Sequence, residues 1–155
     1  MILYLDSSAL VKRYVTEPGS DEVLRQIEGA EVVGTSAISL TEVAAALAKA
    51  VRLSLLPREV GELAYQVFRR EWPDLVRLPV SEAALERAAA LTWTSGLRGY
   101  DAVQLAAAVI WQEAVEEPVS FSTFDRQLWA ASGAAGLTPC PADLPTLLDS
   151  WKLAG

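Results

Sequence analysis

Apolar residues fall along this chain in two spacings. A short unbroken run, residues 2–5 (Ile-Leu-Tyr-Leu), reads as a buried central strand, and further strands are predicted at 31–35, 75–79 and 119–122, with a possible edge strand at 137–138. Between them the apolar positions recur at helical intervals. The clearest case is 38–52, where Leu40, Val43, Ala44, Leu47 and Val51 share one face. Further helices are predicted at 9–15, 20–27 with Ser20 as cap, and 57–70 opened by Pro57. Others fall at 81–94 capped by Ser81, 101–113, 124–131 and 143–151. Pro18-Gly19, Trp72-Pro73 and Gly96 to Gly99 punctuate these segments. Strands alternating with helices predict an α/β fold: a mostly parallel sheet with helices on both faces.

Composition narrows the chemistry. The 155 residues fit a single domain over 1–155, and 52% are hydrophobic, enough to bury a core. No apolar run reaches the ~18 residues of a membrane span, and the first residues read as a strand rather than a signal peptide. One cysteine, Cys140, excludes an internal disulfide and a cysteine-rich zinc site, so cytoplasm is the expected compartment. The chain has no histidine. Serine–histidine and cysteine–histidine catalysis are thereby excluded, leaving carboxylates, hydroxyls, lysine or arginine, and hard cations such as Mg²⁺ or Mn²⁺. The net charge of −7 argues against generic polyanion binding, although acids gathered in one site would inflate it.

Four acids sit where such chemistry would be placed. Ligands of an open parallel sheet bind beyond the carboxyl ends of its strands. Asp6 follows the first strand, and Asp125 follows the strand ending near Ser122. Glu42 lies in the first turn of the alanine-rich helix, and Asp101 opens the apolar helix after the glycine loop. Each also reads as a helix cap. Ser39 and Glu42 fit a capping box, and Asp101 with Gln104 fits the same spacing. The apolar sequence around all four favours buried, paired or metal-bound carboxylates over simple caps. The five tryptophans are expected to pack rather than stack on bases. Lys12-Arg13 and Arg69-Arg70 read as solvated surface. The glycine loop lacks the spacing of a phosphate-binding P-loop.

The same residues resemble a known family. Asp6-Ser-Ser-Ala-Leu-Val-Lys-Arg-Tyr14 followed by Glu17-Pro-Gly-Ser20 looks like the opening of VapC-type PIN-domain toxins. Ser39-Leu-Thr-Glu42-Val43, Tyr100-Asp101-Ala102 with Leu105-Ala106, and Ser122-Thr123-Phe124-Asp125 resemble its later acidic motifs, in the right order. The resemblance implies a three-layer α/β/α PIN-like fold and Mg²⁺- or Mn²⁺-dependent endoribonuclease activity on RNA. It also implies inhibition by a VapB-type antitoxin. Carried over by position, Asp6, Glu42, Asp101 and Asp125 are the catalytic and metal-binding acids, with Asp6 and Asp101 the firmest ligands. Ser8 and Thr123 would orient carboxylates and waters. The four carboxylates are expected to stand close enough to share one or two cations. Apolar residues of helices 38–52 and 57–70, among them Leu55, Val60, Ala64 and Phe68, add the expectation of a homodimer. Two other readings remain: an aspartyl-nucleophile phosphatase, disfavoured by Ser8 where a second carboxylate is usual, and a non-catalytic interaction module whose acids only cap helices.

Overall fold

The computed structural model describes residues Met1–Gly155. Five strands, β1 (Ile2–Leu5), β2 (Val32–Ser36), β3 (Val76–Leu78), β4 (Val119–Ser122) and β5 (Thr138–Cys140), form one sheet in the order β3-β2-β1-β4-β5. Every pair is parallel, with Leu3 opposite both Val33 and Ser120. The chain first builds outward from β1 through β2 to β3. It then crosses to the other side for β4 and β5. The switch leaves a crevice between the carboxyl ends of β1 and β4, where open α/β sheets bind their ligands.

Eight α-helices cover the sheet: α1 (Ser7–Leu10), α2 (Ser20–Glu28), α3 (Ser39–Arg52), α4 (Arg58–Glu71), α5 (Glu82–Ser95), α6 (Gly99–Val115), α7 (Arg126–Ala134) and α8 (Leu144–Ala154). Alternation along β1 assigns the two faces. Tyr4 points to one side, stacked on Phe121 with ring centroids 5.1 Å apart, beneath Ala102, Leu105, Ala106 and Val109 of α6. Leu3 and Leu5 point to the other, against Val23, Val43, Leu47 and Phe68 of α2, α3 and α4. Burying each such leucine or phenylalanine contributes roughly 1.5–3 kcal/mol. The alanine-rich face of α6 brings that helix close to the sheet. At Gly34 of β2 an added Cβ would meet the Trp111 ring at 2.8 Å, so the close approach requires glycine there. This packing fixes α6, and with it the height of Asp101 over the sheet edge.

The predicted elements all form, with shifts at their ends. The helix expected over 9–15 is a single α-turn, Ser7–Leu10, followed by a 3₁₀ turn to Arg13. Ser20 does not cap α2. Gly19 does, at φ 96°, and an added Cβ there would meet the Phe124 ring at 2.8 Å. The Ser20 hydroxyl instead closes the preceding turn, donating to the Val15 carbonyl and accepting from the Glu17 amide. No helix is long and apolar enough to cross a membrane.

Candidate active site

Asp6 ends β1, and its amide still donates to the Ser122 carbonyl, extending the β1–β4 ladder by one bond. Its carboxylate turns back over the start of α1. Oδ1 accepts from the Ala9 amide (2.9 Å) and the Ser8 hydroxyl (2.7 Å), and Oδ2 accepts from the Thr123 hydroxyl (2.6 Å). Both hydroxyls are committed as donors, so they accept from the loop that carries Asp125. The Phe124 amide donates to Ser8 (3.1 Å) and the Asp125 amide to Thr123 (3.2 Å). Asp6 thus caps α1 and also anchors the crevice. Only 4% of it is exposed. Burial pushes its carboxyl up to about 6. The hydrogen bonds from Thr123, Ser8 and Ala9 oppose this shift, and the Asp101 carboxylate adds to it.

That shift has a measurable consequence. The unfolded chain releases this proton near 3.8, the folded protein only near 6. Between those values the native state binds more protons than the unfolded state. Stability therefore falls as pH rises from about 4 to about 6 and levels off above, by up to about 3 kcal/mol for this group. Urea melts of wild type and D6N across that window should differ by this slope. Superimposable pH dependence would show that Asp6 ionises as freely in the folded protein as in the unfolded one.

Glu42 stands opposite, in the first turn of α3, and the capping-box expectation fails there. Ile38 occupies the cap position without a side-chain bond, and Ser39 is fully buried. Glu42 Oε1 instead accepts from the Ser7 hydroxyl and from Gln104 Nε2, both at 2.7 Å. Gln104 likewise does not serve Asp101. Arg98 caps α6, and Gln104 turns inward to receive the Tyr4 hydroxyl at 2.5 Å. Sequence reasoning missed Ser7 and Gln104 as members of the site, because their partners lie 35 to 100 residues away.

Asp101 lies half-buried at the rim. Desolvation raises its carboxyl, Asp125 and Glu42 push in the same direction, and Arg98 (Nε to Oδ2 3.8 Å) offsets part of the shift. Asp125 caps α7 through the Leu128 amide at 2.8 Å. The structure therefore brings all four acids to the carboxyl edge of the sheet, around the β1/β4 crevice. Ser8 and Thr123 bond Asp6 directly.

The closeness expected of the four carboxylates is corrected by the geometry. No three acidic side chains form a cage that grips a cation by direct contact. Asp6 is drawn back by its two hydroxyls, Glu42 is held by Ser7 and Gln104, and mutual repulsion favours separation. The donor set nonetheless suits a hard cation. It is all oxygen, and Mg²⁺ commonly keeps several waters while using only one or two carboxylates.

The family model for the PIN domain matches residues 3–131, which hold all four acids. This chain belongs to the PIN-domain family. Ribonuclease VapC45 of Mycobacterium tuberculosis (strain CDC 1551 / Oshkosh) is 34% identical over 148 residues, spanning 92% of this chain and 97% of that protein. Ribonuclease VapC49 of Mycobacterium tuberculosis (strain ATCC 25618 / H37Rv) matches to the same extent. Such identity over nearly the full length places this PIN-domain chain among the VapC ribonucleases. The three-layer fold agrees with two solved structures. One is a toxin–antitoxin complex from Klebsiella pneumoniae (TM-score 0.62, 19% identity, 84% of this chain and 91% of that one). The other is FitAcB from Neisseria gonorrhoeae (TM-score 0.60, 17% identity, 88% and 95%).

Proposed function

We propose that this VapC-family chain is a metal-dependent endoribonuclease and the toxin half of a toxin–antitoxin pair. One observation carries the reading: four acids from four separate segments meet at the sheet's switch point, and the most buried of them is held by two hydroxyls and an amide. Asp6 and Asp101 would hold Mg²⁺ or Mn²⁺, with Glu42 and Asp125 taking up its waters. When bound, such an ion would supply positive charge for the phosphoryl oxygen and lower the pKa of water. Ser8 and Thr123 keep the Asp6 carboxylate in one orientation. With no histidine in the chain, no imidazole is available to protonate the leaving oxygen.

The rim suits single-stranded RNA. Tyr100, 68% exposed, precedes Asp101, and Arg98 lies within reach of the same acid. Trp93 near the end of α5 is 91% exposed, against the expectation that the tryptophans pack. Exposed aromatic faces stack unpaired bases, and an arginine meets a phosphate. A homodimer on α3 and α4 belongs to the same proposal. Ala64 and Phe68 are spent in the core, but Leu55, Val60 and Leu63 remain exposed, and α3 and α4 also enclose a groove of about 690 Å³ lined by Ala44, Leu47, Ala48, Val51 and Tyr65. The antitoxin partner is supported by the toxin–antitoxin complex that shares the fold.

The test incubates the purified chain with an unpaired RNA oligonucleotide, its DNA counterpart and an RNA duplex. Each is run with Mg²⁺, with Mn²⁺ and with EDTA. Cleavage confined to unpaired RNA and abolished by EDTA is the expected result. RNA cleavage that survives EDTA would overturn the metal-dependent reading.

A further inference from the structure

Gln104 sits where the three layers meet. It belongs to α6 on one face of the sheet, yet its amide reaches past the sheet edge to α1 and α3 on the other. Nε2 lies 2.7 Å from Glu42 Oε1, 3.0 Å from Ser7 Oγ and 3.0 Å from Ser39 Oγ, while Oε1 receives the Tyr4 hydroxyl at 2.5 Å. The proton directions in this network can be assigned. The Leu5 carbonyl only accepts, so Thr35 donates to it (2.7 Å). Ser39 must then donate to Thr35 (2.7 Å) and accept from Gln104. Ser7 spends its proton on Glu42 and also presents a lone pair to the amide. A flipped amide would set its carbonyl oxygen 2.7 Å from a carboxylate oxygen, so the Glu42 charge selects the orientation seen. No buried side-chain nitrogen or oxygen lacks a partner, so the network is closed.

We propose that Gln104, anchored by Tyr4, is a positioning residue that holds Glu42 through Oε1 and leaves its other oxygen for the metal site. The proposal rests on the functional reading above. Glu42 is only half-buried and without these bonds would sample several rotamers. Two donors on one oxygen restrict it to a single arrangement, near enough to Asp101 to push that carboxyl up. Tyr4 supplies the fixed end. It is buried in the central strand, stacked on Phe121, and has Gln104 as its hydrogen-bond acceptor. Gln104 is buried behind Glu42, so its loss should lower kcat and leave KM for RNA unchanged.

The test compares wild type, Q104L, Y4F, E42Q and the Q104L/E42Q double variant. Readouts are kcat and KM on an unpaired RNA, Mn²⁺ affinity by electron paramagnetic resonance, and thermal melting. Q104L should lose about 10–100-fold in kcat or Mn²⁺ affinity, the range for groups that orient ligands. Y4F keeps the ring stack and should lose less, in the same direction, which guards against a Q104L protein that fails to fold. The double variant should be no worse than E42Q alone, because Gln104 acts only through Glu42. Additive losses, or wild-type kcat and Mn²⁺ affinity in both Q104L and Y4F, would overturn the positioning role while leaving the ribonuclease reading intact. A wild type inert toward both RNA and Mn²⁺ would overturn both.

Discussion

The D6N protein should fold at least as well as wild type above pH 6 and yet cleave RNA more than about 100-fold more slowly, beyond the range that loss of a supporting partner costs. Asparagine is nearly isosteric with aspartate. Its one carbonyl oxygen can still accept from the Ala9 amide, so α1 keeps its cap, and its amide can donate to the Thr123 hydroxyl. What disappears is the buried charge. In the wild type that charge opposes folding above pH 6, because burial outweighs the three hydrogen bonds that favour it. Removing it should stabilise the metal-free protein while taking away the deepest acid of the site. Metal-induced stabilisation should vanish with it. For wild type at 100 times the dissociation constant, that stabilisation amounts to about 2.7 kcal/mol. Cleavage assays, and melts with and without Mn²⁺, decide the matter together. A D6N protein that melts higher, ignores Mn²⁺ and does not cleave fits the site. One that cleaves at the wild-type rate shows that Asp6 is only a helix cap.

The cap readings show what a sequence can and cannot disclose. Strands and helices were legible because β1 is an unbroken apolar run buried on both faces and burial recurs every four residues along α3, both local patterns. The acids were legible as a set because each follows a strand or opens a helix, where parallel sheets present their ligand edge. Asp6 and Asp125 do serve as caps, through Ala9 and Leu128, so there the local reading and the site coincide. Glu42 and Gln104 depart from it. Their spacing to Ser39 and Asp101 matches a capping box, but the preference is local and worth about 1 kcal/mol. Here tertiary partners outweigh it. Ser39 faces Thr35 in the core, and Gln104 finds Tyr4 a hundred residues earlier. Spacing along one helix says nothing of a hydroxyl arriving from the central strand. The exposure of Trp93 was hidden for the same reason. Its helix buries the face of Ala84 and Ala88, and Trp93 falls on the opposite side.

An antitoxin that inhibits at the acids should do so with an arginine, and its grip should weaken as metal is raised. Asp101 and Asp125 repel one another at the rim, and Asp6 and Glu42 lie behind them. The chain's own Arg98 relieves little of this. Its side chain is largely exposed and approaches Asp101 only to 3.8 Å. A partner's guanidinium could enter where Arg98 does not, pairing with carboxylates in bidentate fashion and keeping its charge when desolvated. Arginine and cation would then exclude one another. At metal 100 times its dissociation constant, the apparent antitoxin affinity should fall about 100-fold. D101N should weaken binding by about 10–100-fold, the worth of one hydrogen bond to a charged group. R98A should act with the opposite sign, because it removes the neighbouring cation that competes for Asp101. Titrations of antitoxin against wild type, D101N and R98A over a range of Mg²⁺, at constant ionic strength, separate these effects from general screening. If affinity ignores metal and all three proteins bind alike, inhibition acts elsewhere on the molecule. In that case the groove between α3 and α4 is the next surface to mutate.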